Sequence, residues 1–437
     1  MAVWKRVAFF AGQMCCYSVK NEKQYGVIGG SAAAGLKATV AHKEFMAQAK
    51  KIRVLLLDGQ DDCLAILAVR CLQRTGRFDV HCITDVATHR LRYSMRCKVL
   101  HDTLDTPANL LESVKRYIMK IPVDVILPLQ EGMIAMAGEV AVELNKLARL
   151  APAPDPDLCD RVDNKWRFHE LMVSASIKVP RCVHAAGDRA MIEEELKTWR
   201  GPFLFKPVYG NGGYGILKYD SIEDAIHALD ALPGEQRVET VIQEYVPGRD
   251  MGCGLLGKDG EVVAHSIFNV SLTQNRAYTC GLGHEFIHDE AISAMLETFA
   301  RVSRWSGVAN FDLRVDERDG TVYVLEVNPR YWQTMLGSLY MGINFPEIHC
   351  RLALGQQVGP YRSRTGFWVN YHALSQDVVN LKRVIASKDH ALRAVHFSEF
   401  FADPLLESIY IVGGIQRYLN AKLAQRRTRV KQRRKAS

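Results

Sequence analysis

Several familiar signals are missing from this sequence. No stretch reaches the ~18 consecutive apolar residues that a membrane-spanning helix needs. Its 11 cysteines include no C-x-x-C pair and no zinc-like spacing. Cys15 and Cys16 are adjacent and the others are scattered, which fits reduced thiols in a cytoplasm better than a disulfide framework. No G-x-G-x-x-G follows the first expected strand, which argues against a dinucleotide site there. No G-K-[ST] occurs in the glycine-rich loop near residue 210, which excludes a Walker A phosphate loop. Internal repeats and low-complexity segments are absent ahead of the C-terminal tail.

Net charge is also missing from the body of the chain. The formal charge is +8 over 437 residues, but nine Lys or Arg lie between Arg417 and Ser437 with no acid among them. Without them the chain is close to neutral. The tail reads as a solvated end, with contact to nucleic acid or an anionic membrane surface as the alternative. At the other terminus Lys5 and Arg6 precede VAFFAGQMCCYSV. Gln13 interrupts that apolar stretch and no small-residue cleavage site follows closely, so it reads as a leader outside the fold and not as a targeting signal. The 48% apolar and 24% charged residues are ordinary for a globular protein, and the length predicts roughly two to four domains.

What is present is alternation. IRVLLL at 52–57, ending at Asp58-Gly59, reads as a buried strand, and CLAILAVRCLQRTG follows with helical spacing and a Gly76 stop. FDVHCIT and VDVILPL are two further strands with a helix between them. Strands alternating with helices predict a parallel, doubly wound sheet. APAPDPD at 151–157 fits neither helix nor central strand and marks a boundary. Beyond it, FLFKPVYGNGGYGILKY at 203–219 is strand, glycine-rich loop, strand. VIQEYVPGRDMGCGLLG at 241–257 is a strand pair broken at Pro247-Gly248. EVVAHSIFNVS is a strand, AISAMLETFARVSRWSG an amphipathic helix, and ANFDLRVDERDGTVYVLEVNP a hairpin with a three-residue loop at Arg318-Asp319-Gly320. The expected segments are an N-terminal extension of unknown structure (1–50), the first α/β domain (51–157), a second domain (158–357), a small C-terminal unit (358–416) and the basic tail (417–437).

The hairpin carries the chemistry. A loop at 318–320 puts Asp312 opposite Glu326 and Arg314 opposite Val324, with Asn328 on the same face as Glu326. Three oxygen donors at the end of two paired strands suit a hard cation, Mg²⁺ or Mn²⁺, that also keeps water and phosphate oxygens. In the glycine-rich loop, Gly210, Gly212, Gly213 and Gly215 allow backbone N–H groups close to phosphates, and Lys206 adds a charge at the strand end. The backbone of Glu244, Tyr245 and Val246 can bond an adenine edge, and Asp250 can accept from ribose hydroxyls. An acceptor pocket has Arg276 and Trp332 as candidates, each equally readable as a surface Arg and a core Trp. His265 and His284 read as structural.

In this order the motifs resemble the ATP-grasp superfamily, especially its carbamoyl-phosphate-synthase-like carboxylate–amine ligases, over residues 51 to about 355. The resemblance rests on Lys165 in DNKW about forty positions before Lys206, on Gly212 and Gly213 six and seven residues past Lys206, on Gln243 and Asp250, and on Asp312 with the E-x-N-P-R of Glu326, Asn328 and Arg330. It implies a Rossmann-like pre-ATP-grasp domain followed by a two-subdomain ATP-grasp fold, α/β and α+β in class. It further implies an ATP-dependent ligase that activates a carboxylate as an acyl phosphate and couples it to an amine. Lys165 and Lys206 would hold the α- and β-phosphates, Gln243 would contact adenine and Asp250 ribose. Asp312, Glu326 and Asn328 would hold Mg²⁺ or Mn²⁺, and Arg330 would stabilise the transferring group. Gln243 stands where many members have Glu, and Asp312 where several have Glu or Gln; all of these offer oxygen. Small-molecule carboxylate and amine substrates follow, and a homodimer is left open. The alternatives are a bicarbonate-using carboxylase or carbamoyl-phosphate-type enzyme, and a non-catalytic ATP-binding module.

Overall fold

A computed structural model describes residues 50–437 apart from 60–61, 211–212, 273–280, 371–400, 410, 414–415, 417–419 and 421–437. The N-terminal extension, most of the small C-terminal unit, Gly212, Arg276 and the basic residues of the tail lie outside the described residues. Lys51–Ser437 forms one compact unit. Among the described residues no helix is long and apolar enough to cross a membrane. Among the described residues Cys82, Cys97, Cys159, Cys182, Cys253 and Cys350 are free and buried.

Three sheets build this unit. The first uses β1 (Ile52–Asp58), α1 (Cys63–Gln73), β2 (Phe78–Thr84), β3 (Cys97–His101), α2 (Pro107–Lys120), β4 (Val125–Pro128), α3 (Glu131–Glu139), α4 (Ala141–Leu147) and β5 (Arg149–Leu150). Its strands are all parallel, in the order β3-β2-β1-β4-β5. β1 is buried almost throughout because helices cover both faces, so its sequence is continuously apolar instead of alternating. β3 was not expected. CKVLH is a mostly exposed edge strand without the apolar run that reveals its neighbours.

The chain then passes through α5 (Pro156–Asp163) and α6 (Lys165–Ser174). The end of APAPDPD is helical, against expectation. Asp155 accepts from the Leu158 amide at 2.9 Å as N-cap, and Pro156 takes the first helical position, where its missing N–H is no loss. Next come β6 (Cys182–His184), α7 (Arg189–Lys197), β7 (Phe203–Pro207), β8 (Leu217–Tyr219), α8 (Ile222–Ala231), α9 (Gly234–Val238) and β9 (Thr240–Glu244). They form a four-stranded antiparallel sheet in the order β6-β9-β7-β8.

The third sheet comprises β10 (Gly248–Lys258), β11 (Glu261–Leu272), β12 (Gly283–Ile287), α10 (Glu290–Ser303), β13 (Gly307–Asp316), β14 (Val322–Asn328), α11 (Met335–Tyr340), α12 (Phe345–Ala353), β15 (Tyr361–Arg362) and β16 (Gly366–Val369). Its order is β14-β13-β10-β11-β12-β16, with β15 parallel to β11. α10 covers one face through Ile292, Leu296, Phe299 and Ala300. Residues 331–345 cover part of the other, where Trp332 lies directly on Gly254: a Cβ at Gly254 would sit 2.0 Å from the indole Cζ2. Gly254→Ala is therefore expected to destabilise the protein by about 1–3 kcal/mol through overpacking. A urea midpoint equal to wild type would show that Trp332 has room to move.

Candidate functional site

The hairpin of β13 and β14 sets the site. Asp312 pairs with Glu326 and Asn310 with Asn328, as expected for the acids. The route to that register differs from the expectation. Asp316 N–H donates to Thr321 O at 2.8 Å, so four residues lie in the loop. Arg314 accordingly pairs with Tyr323, not Val324. A bulge then absorbs Leu325 and restores Asp312 to its place opposite Glu326. Without that bulge a one-residue slip would turn Glu326 to the other face.

On β10, Gly252 lies opposite Asp312, Gly254 opposite Asn310 and Asp250 opposite Arg314, so one face gathers Asp250, Asn310, Asp312, Glu326 and Asn328 over a floor of two glycines. Asn310 Nδ2 donates to Asp312 Oδ1 at 3.3 Å, and Asn328 Nδ2 to Glu326 Oε1 at 3.4 Å. Burial, reinforced by the Glu326 charge, pushes the Asp312 carboxyl well above the usual carboxylate range. Burial acts on Glu326 as well, but a hydrogen bond from Asp312 and the charges of Lys165 and Lys206 outweigh it and hold that carboxyl low. The two carboxyls are thus pushed in opposite directions, Asp312 towards its neutral form and Glu326 towards its charged form, as two acids at close range require.

The four-stranded sheet brings the cations. Lys206 is buried, and its Nζ donates to Gln243 Oε1 at 2.5 Å; both residues project from one face of β7 and β9. Burial lowers the Lys206 amine to about 8, with Glu326 opposing and Lys165 adding to the fall. Lys165 is placed by the cap of α6, where Asn164 Oδ1 accepts from the Trp166 and Arg167 amides at 3.1 and 3.0 Å. Its Nζ donates to the Gly210 carbonyl at 2.8 Å, tying it to the glycine-rich loop, where Gly210 and Gly213 both have positive φ.

Gln243, expected at adenine, already has its oxygen on Lys206. The Glu244 side chain points to the opposite face and pairs with Arg181 at 2.9 Å. The Glu244 and Tyr245 amides donate to Arg181 O and Pro202 O, each at 2.9 Å. The Val246 N–H, on a residue 6% exposed, has no acceptor among the described residues. Asp250 pairs with Arg314, which also donates to Val246 O at 3.0 Å and Tyr245 Oη at 3.2 Å.

Arg330 is held on three sides. Its Nε pairs with Glu131, Nη1 donates to Tyr331 O at 3.0 Å and Nη2 to Asn328 Oδ1 at 3.0 Å. Glu131 opens α3 just beyond β4, and the Tyr331 N–H donates to Leu129 O at 3.2 Å, so the parallel sheet abuts the hairpin's end. Among the described residues no cluster of three or more His, Cys, Asp or Glu is positioned as a metal centre. Two acids with amide oxygens are what this site offers, a set suited to a hard cation that completes its shell with water and phosphate.

Comparison with known proteins agrees with this geometry. A family profile described as "ATP-grasp in the biosynthetic pathway with Ter operon" matches residues 236–374. The carbamoyl phosphate synthase large chain of Thermoanaerobacter sp. (strain X514) is 26% identical over 226 residues, 48% of this chain and 20% of that one. The D-alanine–D-alanine ligase of Aquifex aeolicus is 29% identical over 159 residues, 34% of this chain and 54% of that one. The biotin carboxylase domain of Hydrogenobacter thermophilus 2-oxoglutarate carboxylase, solved with MgADP, ADP and bicarbonate, superposes with a TM-score of 0.56 at 15% identity, covering 73% of this chain and 74% of that one.

The chain is similar to ATP-grasp proteins and shares their fold. It matches only about a fifth of the length of the synthase large chain, so that protein's whole activity does not transfer with the fold.

Two residues of this candidate site are not apparent from the motifs alone. Asn310 was within reach, since it lies two residues before Asp312 on one strand and so shares its face. Glu131 was not, because 199 residues separate it from Arg330. Trp332 is 2% exposed and packs on Phe345 as core, and His284 is likewise buried against Phe268 and Trp368.

Proposed function

We propose that the protein is an ADP-forming carboxylate–amine ligase. The observation that carries this reading is the buried hairpin face on which Asp312 lies opposite Glu326 with Asn328 beside it, a set of oxygen donors suited to a divalent cation. ATP with Mg²⁺, or Mn²⁺ in its place, fits this donor set and supplies the phosphoryl group that activates a substrate carboxylate. Asp312, Glu326 and Asn328 would hold the metal, while Lys165 and Lys206 would hold phosphate oxygens. The free Val246 N–H suits an adenine edge, and Asp250 retains an oxygen for ribose. Arg330, fixed by Glu131, positions Asn328 and places a delocalised cation beside the reacting end. The chain's contribution is positioning and charge neutralisation, with little covalent work required.

The test is ADP release from purified protein with Mg-ATP and pooled carboxylates and amines, with products weighed by mass spectrometry. A new mass equal to acid plus amine minus water is the expected result. ADP release with bicarbonate alone would replace this reading with the carboxylase one, and tight ATP binding without any product would favour a non-catalytic module. A cytoplasmic setting fits the free, buried cysteines.

The lowered Lys206 amine gives a pH signature. Only the charged amine attracts phosphate, so Mg-ATP affinity is expected to fall as pH rises past about 8, by up to about tenfold per unit. Equilibrium binding from pH 7 to 10 checks this, with Lys206→Met expected to bind weakly and without that slope. A wild-type affinity that stays level across the range would remove Lys206 from the phosphate site.

A further inference from the structure

The seven-stranded sheet carries a second polar cluster on the face turned away from the carboxylate pair. Along β11, Ser266 and Phe268 pair with Gly254 and Gly252 and share their face, so His265, opposite Leu255, lies on the α10 side. There β15 runs beside β11 with Arg362 opposite His265. The Ser363 amide donates to His265 O at 3.2 Å, and His288 Nε2 lies 2.7 Å from Ser363 O. Ser293 Oγ, in the first turn of α10, is 3.2 Å from His265 Nε2. Arg362 uses only Nη1, which donates to Glu290 Oε1 at 2.6 Å.

The remaining donors are left over. Nε and Nη2 of Arg362, the guanidinium edge with two parallel N–H groups, are buried with no acceptor among the described residues. Ser363 Oγ, on a residue 1% exposed, has none either. Buried donors in folded proteins nearly always find a partner, and the paired edge of a guanidinium matches two oxygens of a single oxyanion. Glu290 is the acid that pairs with Arg362 among the described residues, and its side chain is 83% exposed, so it can turn outward. Burial, followed by the Arg362 charge, keeps the His265 imidazole below its usual range, so the ring joins as a neutral neighbour at neutral pH.

We propose that Arg362 and Ser363, flanked by His265 and His288, form a binding site for a small oxyanion, separate from the ATP-grasp site and on the opposite face of the same sheet. The anion accepts from Nε and Nη2 of Arg362 and from Ser363 Oγ, and it ties β15 to β11 and to the start of α10. Phosphate and carboxylate groups share this chemistry. The proposal does not depend on the ligase reading.

The test is calorimetric titration of the full chain with inorganic phosphate and, separately, with acetate, in buffer free of other oxyanions. Saturating Mg-ADP is included so that the Lys206 site is filled. Saturable binding of at least one anion is expected, together with a higher melting temperature. Binding of phosphate alone identifies a tetrahedral ligand, and binding of acetate a carboxylate. Arg362→Lys keeps the charge but loses the parallel edge and should weaken binding about tenfold. Ser363→Ala should weaken it less, and Glu290→Gln, which removes the competing carboxylate, should strengthen it. A merely structural ion pair would not give that opposite pair of effects. Failure of both anions to bind the wild type overturns the proposal, as does binding that all three variants leave unchanged.

Discussion

Glu326→Gln is expected to abolish turnover, by on the order of a thousandfold or more. The change keeps shape and keeps an oxygen for Asn328 Nδ2, which now bonds Glu326 Oε1 at 3.4 Å. It removes the one carboxylate of the pair that is held ionised, and with it the charge that Lys165 and Lys206 face. Two losses follow from one substitution. The divalent cation loses its anionic ligand, and Lys206, whose amine Glu326 holds up against burial, falls further and gives up its proton more readily. ADP release under Mg-ATP with the active substrate pair measures the effect, and an unaltered circular dichroism spectrum separates it from misfolding. Wild-type turnover in this variant would sink the assignment of the pair.

The second large effect has opposite signs in stability and activity. Asp312→Asn is expected to eliminate turnover and yet to raise the stability of the metal-free protein by about 1–3 kcal/mol. The Asp312 carboxyl is raised in the folded state, so the folded protein holds a proton that the unfolded chain releases. Stability of the metal-free protein should therefore fall as pH rises above the ordinary carboxylate range. An amide at this position donates to Glu326 without needing that proton, and the penalty disappears. Urea midpoints at pH 5 and pH 8 without Mg²⁺ test the sign: the gap between variant and wild type should widen at pH 8. A variant less stable than wild type at pH 8 would mean that the two acids do not oppose each other. Sites that trade stability for function in this way are where local sequence rules are expected to break.

Part of this architecture was legible in the chain because it rests on local patterns. Continuous apolar runs mark β1 and β4, and the spacing of Asp312, Glu326 and Asn328 along a hairpin places them on one face. β3 was hidden because an edge strand with exposed side chains has no apolar signature. The helical start at Pro156 was hidden because proline breaks helices everywhere except at their first turn. The hairpin loop was misjudged by one residue, an error that the bulge at Leu325 cancels at the position that matters. Gln243 shows a different limit. The family resemblance implies a contact with adenine, but only the pairing of β7 with β9 sets its oxygen against Lys206.

By itself, then, the order of residues determined the alternating elements, the acids of the hairpin and the family they resemble, because each depends on neighbours a few positions apart. The tertiary structure decided which charges meet. Glu131 reaches Arg330 across 199 residues, burial lowers the Lys206 amine to about 8, and burial beside Glu326 pushes the Asp312 carboxyl up. Desolvation and Coulomb energy depend on distance in space and on what excludes water, and neither is encoded in separation along the chain.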